Sequence, residues 1–133
     1  MLNAPVLSLR GATKRFGGLV AVNSIDFDVA EHQVLGLIGP NGSGKSTTLN
    51  LISGALKPTA GTISLRGTPI SGLTAEKITR KGISRTFQLV RLLPSMNVAE
   101  NVIAGAVFGH RRRWGAAAHG EAERLLDRVG LGG

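Results

Sequence analysis

The stretch Gly39-Pro40-Asn41-Gly42-Ser43-Gly44-Lys45-Ser46-Thr47 constrains this chain more than any other segment, because it matches the phosphate-loop pattern GxxxxGK(S/T). Its glycines let the backbone turn so that successive N–H groups point inward. A helix starting directly after the loop aims its positive end at the same point. That mechanism requires a strand before the loop and a helix behind it. Val34-Leu35-Gly36-Leu37-Ile38 is apolar throughout, as expected of a strand covered on both faces in a parallel sheet. Beyond the loop, Leu49, Ile52 and Leu56 recur at helical spacing with Leu51 widening the stripe, which predicts a helix over 45–53 with Gly54 as its stop. In this setting Lys45 is expected to reach the β- and γ-phosphates of a nucleoside triphosphate as a point charge, and the Ser46 hydroxyl to ligate the Mg²⁺ that bridges them.

The segments around the loop add a second sheet character. Val6 to Arg10 alternates apolar and polar, and so do Ile25, Phe27 and Val29 with Asp26 and Asp28, with Gly17-Gly18 in the connection. They read as antiparallel strands, joined by a third over Thr62–Arg66 after the Pro58-Thr59-Ala60-Gly61 turn. A short helix opened by Thr74 is expected over 74–80, a further strand over Ile83–Gln88, and helices over 97–108 and 119–129.

The 133 residues suffice for one core, and the absence of cysteine excludes a disulfide framework, a thiolate metal site and a cysteine nucleophile. No apolar run approaches the roughly 20 residues that span a bilayer, and no basic-then-apolar signal opens the chain, so a cytosolic setting is expected. The net charge of +8 is concentrated: residues 77–113 hold eight basic residues and one acidic residue. A patch of that sign attracts phosphates, nucleic acid or an anionic membrane face. Within it, Arg111-Arg112-Arg113-Trp114 reads first as a solvated loop between helices, next as a segment near anionic lipid, and last as a nucleic-acid contact. His32, His110 and His119 show no ligand spacing.

The wording GPNGSGKST, the antiparallel strands before it, and Gly54, Pro58 and Gly61-Thr62-Ile63 behind it resemble the ATP-binding subunit of an ABC transporter. Lys14-Arg15-Phe16-Gly17 is similar to that family's adenine-stacking loop, and Arg85-Thr86-Phe87-Gln88 to its glutamine loop. The run from Arg91 to Val102 is similar to subunits energising uptake of branched-chain amino acids and related amides. The resemblance implies an α/β fold: a P-loop NTPase core of the ABC type with an N-terminal antiparallel β subdomain. Residues 1–110 would be the ATP-binding core and 111–133 the start of a helical subdomain. It implies ATP and Mg²⁺ as cofactors, with Gly39 to Thr47 on the phosphates, Phe16 on the adenine, Ala21 facing the ribose, and Gln88 reaching the metal or attacking water. Lys45 and Gln88 would be the catalytic pair. The implied partners are membrane permease subunits, a second ATP-binding subunit and, indirectly, a periplasmic or extracellular substrate-binding protein. Nucleic acid is not expected as a partner, and the implied location is the cytoplasmic face of the membrane.

The family also uses an LSGGQ-type signature, an apolar strand ending in Asp (Walker B), a following Glu as base and a later His, none of which occurs in these 133 residues. The chain is therefore expected to be the domain's N-terminal portion, truncated before the signature and Walker B motifs, slow in hydrolysis alone and marginally stable. The alternatives are the ABC-type ATPase head of a DNA-repair or chromosome protein, and a catalytically silent nucleotide-binding fragment.

Overall fold

A computed structural model of the chain describes residues 4–87 and 92–132. The elements run β1 (Leu7–Phe16), β2 (Leu19–Val29), α1 (Lys45–Ile52), β3 (Ala60–Leu65), β4 (Thr68–Pro69), α2 (Ala75–Arg80), α3 (Val98–Phe108) and α4 (Ala116–Arg128). The chain divides into two compact units, one up to Ile78 and the other from Thr79 onward.

The first unit is built on an antiparallel sheet of order β2-β1-β3-β4. Leu9 pairs with Phe27 on one side and Ile63 on the other, and Phe16 meets Leu19 across the two-residue Gly17-Gly18 turn. The alternation along β2 is as expected: Ile25, Phe27 and Val29 are half-buried and Asp26 and Asp28 exposed. Register shifts between Leu9 and Ala12 bend β1 at Gly11, whose N–H donates to Asp26 Oδ1 at 2.8 Å. Gly61 lies so close there that a β-carbon would stand 2.2 Å from the Gly11 carbonyl oxygen. The short β4, absent from the sequence expectation, follows a tight turn in which Arg66 and Gly67 both have positive φ (47° and 75°), the type I′ geometry of hairpins. Leu9, Ala12, Val22, Leu51, Ile63, Ile70 and Ile78 form the core of this unit.

In the second unit α3 packs on α4, which buries Ala118 and Ala122. Asn97 caps α3: its Oδ1 accepts from Glu100 N at 2.9 Å, and Glu100 Oε2 accepts in return from Asn97 N at 2.8 Å. Asn101 ties the preceding turn to the helix, accepting from Leu93 N at 2.8 Å and donating to the carbonyls of Met96 and Asn97. Among the described residues, no helix is long and apolar enough to cross a membrane.

Two expected strands are not strands. Residues 34–38 form no strand or helix, with Val34 and Ile38 each 97% exposed, and residues 83–87 are irregular. A strand exists through its ladder of partners. The described strands form one antiparallel sheet that offers these runs no parallel neighbour. The last helix begins at Ala116 rather than at 119, because Gly115 (φ 55°) breaks the chain and three alanines, strong helix formers, follow it.

Candidate functional site

The loop after Ile38 delivers the chain into α1 through Gly44, whose φ of 88° lies in the left-handed region that glycine enters without strain. Glycine is required there for a second reason. A β-carbon on Gly44 would meet the Ala21 carbonyl oxygen at 2.5 Å and Val22 Cγ2 at 3.2 Å, so β2 presses directly on the loop. Gly39 is crowded from within the loop, where a β-carbon would lie 2.7 Å from Ser43 Oγ.

Lys45 holds the centre of the turn. Its Nζ donates to the carbonyls of Gly39 and Pro40, each at 2.6 Å, and to Ser43 Oγ at 3.3 Å. The first α1 amide taken up by the helix is that of Thr48, which donates to Gly44 O at 2.8 Å. The amides ahead of it form the donor-rich end of the helix. No side chain caps that end, and its first turn holds no acidic residue. Helix partial charge and the Lys45 ammonium therefore add with the same sign.

A cleft of about 180 Å³ opens over this end, lined by Ala21, Asn41, Gly42, Gly44, Lys45, Ser46 and Thr47. Six of these residues belong to the loop read from sequence, and Gly39, Pro40 and Ser43 brace it from behind through the Lys45 bonds. Thr48, which sequence reasoning did not single out, is buried and donates through Oγ1 to Gly44 O at 3.0 Å, anchoring the loop to the first turn of α1. A second threonine directly after Thr47 was the available signal.

Phe16 is not among the cleft residues. It stands at the tip of the β1–β2 hairpin, 46% exposed, with Lys14 Nζ 5.1 Å from its ring centroid. Lys14 also donates to Lys57 O at 2.8 Å, and Arg15 N to Thr59 Oγ1 at 3.0 Å, which fixes the hairpin to the turn before β3. The ring is partly open to solvent on a braced support. Gln88 lies outside the described residues; just before it, the Arg85 guanidinium sits 4.9 Å from the Phe87 ring centroid.

Residues 22–133 match the family described as ABC transporter. The chain is 49% identical over 102 residues to the high-affinity branched-chain amino acid transport ATP-binding protein BraF of Pseudomonas aeruginosa, covering 77% of this chain and 40% of that protein. It is 46% identical over 143 residues to LivG of Salmonella typhimurium, of the same description, covering 98% of this chain and 56% of that one. Among solved structures, the ADP conformation of an ATP-binding cassette of an ABC transporter superposes with a TM-score of 0.83 at 28% identity, over 96% of this chain and 55% of that one. The chain thus spans about half the length of the curated relatives it matches. With its phosphate loop, its antiparallel β subdomain and a family match over most of its length, the chain belongs to the ABC transporter family.

Proposed function

We propose that residues 39–47 bind the phosphates of ATP with Mg²⁺, and that the whole protein uses ATP hydrolysis to energise an importer of branched-chain amino acids or related amides. The observation that carries the first step is the α1 N-terminus: uncapped, free of acid in its first turn, and opening with Lys45, Ser46 and Thr47 onto a cleft. The donor set suits the ligand, since backbone amides and an ammonium take phosphate oxygens and a serine hydroxyl takes a hard cation. Mg²⁺ supplies neutralisation of charge on the phosphate oxygens. Lys45 serves the phosphates, Ser46 the metal, and Phe16 the adenine through its exposed ring. Gln88 is assigned to the metal or attacking water by resemblance.

In this reading residues 1–110 are the ATP-binding core and 111–133 open a helical subdomain. The protein works at the cytoplasmic face of the membrane with permease subunits and a second ATP-binding subunit. The relatives named for branched-chain amino acid transport support the substrate class. Binding of a fluorescent ATP analogue to the chain, with and without Mg²⁺, tests the site. Mg²⁺-dependent binding that disappears in Lys45→Ala, with circular dichroism unchanged, is expected. Retained binding in that variant, or none by the folded parent chain, would refute the assignment.

A further inference from the structure

The connection between α3 and α4 carries chemistry that nucleotide binding does not use. Phe108-Gly109-His110-Arg111-Arg112-Arg113-Trp114 holds three arginines and two aromatic rings and no acidic residue. The turn is well built. Gly109 N donates to Gly105 O at 2.9 Å, Arg112 N to Gly109 O at 3.3 Å, and Arg113 N to Ala106 O at 3.0 Å. These bonds hold Arg112 at φ 43°, a left-handed conformation that residues with a β-carbon rarely adopt. His110 Nδ1 adds a contact of 2.5 Å to Arg80 O.

The three arginines differ in what they face. Arg113 is half-buried and lies 3.7 Å from Glu121 Oε2, an oxygen that Arg124 also takes. Among the described residues Arg111 and Arg112 form no ion pair, and both are exposed. Phe108 and Trp114, at the two ends of the turn, are 75% and 60% exposed. Two bare rings bracketing two unneutralised guanidinium groups mark an interaction surface.

Arginine with exposed aromatics suits both nucleic acid and anionic lipid; Phe108 decides between them. Its ring also lines an apolar groove of about 490 Å³ with Met96, Ile103 and Val107, on a helix that buries none of its own residues. Glu100, on the wall of that groove, accepts from Asn97 N in the α3 cap. A nucleic acid offers flat bases to stack on the rings but no flexible hydrocarbon chain to lie along such a groove, whereas a phospholipid does. An indole ring settles at the interface and a phenyl ring on its apolar side, and arginines take the phosphates above them.

We propose that residues 108–114 bind an anionic phospholipid bilayer, with Arg111 and Arg112 on the headgroup phosphates and Phe108 and Trp114 at the boundary with the acyl chains. Trp114 is the only tryptophan and the chain has no tyrosine, so intrinsic emission reports this turn alone. The full 133-residue chain is titrated with vesicles of phosphatidylglycerol and phosphatidylcholine, and with phosphatidylcholine alone. A blue shift, and quenching by bromine-labelled acyl chains, is expected only with phosphatidylglycerol. Arg111→Gln and Arg112→Gln each weaken partition roughly five-fold and leave ATP-analogue binding unchanged, which separates this surface from the nucleotide site. Phe108→Ser weakens partition while keeping the preference for anionic vesicles. No response to phosphatidylglycerol, an equal response to phosphatidylcholine, or unchanged partition in the double glutamine variant overturns the proposal. Tighter binding to a duplex oligonucleotide, with the Trp114 shift following it, would reassign the turn to nucleic acid.

Discussion

The carbonyl oxygen of Ala21 packs against Gly44 so closely that a β-carbon on the glycine would stand 2.5 Å from it. Strand β2 thereby sets the position of the phosphate loop, which ties the hairpin carrying Phe16 to the helix carrying Lys45. Gly44→Ala must move backbone on one side or the other and also strains φ at 88°. It should destabilise the chain by about 2–4 kcal/mol and abolish ATP-analogue binding. Gly42→Ala, at φ 83° but in open space, meets only the conformational cost of about 1–2 kcal/mol. Urea denaturation of the two variants checks the difference.

Phe16→Ala separates binding from stability. The ring is nearly half exposed and its neighbour Lys14 keeps its bond to Lys57 O, so the urea midpoint should scarcely move. Loss of stacking should weaken ATP-analogue binding by about 1–3 kcal/mol, while Phe16→Trp retains it. An equal loss of affinity for inorganic triphosphate would show that the ring does not act through the base.

Leu9 lies where three strands meet, fully buried and paired with Phe27 and Ile63. Leu9→Ala should cost about 2–5 kcal/mol through lost burial and a residual cavity. Equilibrium denaturation measures this directly, and a loss below about 1 kcal/mol would mean that the sheet core is not packed as described.

Arg10 donates to Asp28 Oδ2 at 2.7 Å, and this bond, helped by one from Ser8, holds the Asp28 carboxyl below its ordinary value. The folded value is thus lower than the unfolded one, near 3.9. The pair stabilises the fold above that value, and the contribution disappears as pH falls through the folded value. Both groups face solvent, so the effect is small and weakens with salt. The gap in urea midpoint between the parent chain and Asp28→Asn should close on acidification from pH 6 to below 3; a gap that widens would reverse the sign.

Local chemistry was legible in the sequence wherever it was self-contained. The loop from Gly39 to Thr47, helix α1 to within a residue, the alternation of β2 and the Asn97 start of α3 follow from spacing and capping alone. What depended on distant partners was not. The run Val34–Ile38 signals that it needs covering without naming what covers it, and the structure leaves Val34 and Ile38 bare. The same holds for residues 83–87. Nor does any residue type encode that the Ala21 carbonyl braces Gly44, because that contact belongs to the backbone. The Arg66-Gly67 turn into β4 carries no sequence signal of its own, because arginine seldom adopts positive φ.

The site itself is open to one spectrum. With the chain labelled at backbone nitrogen, addition of ATP and Mg²⁺ should shift the amide resonances of residues 41–47 most strongly, with smaller shifts at Phe16 and Ala21, and Lys45→Ala should remove them all. Shifts confined to other residues, or an unchanged spectrum of the folded chain at millimolar nucleotide, would contradict ATP binding at this loop.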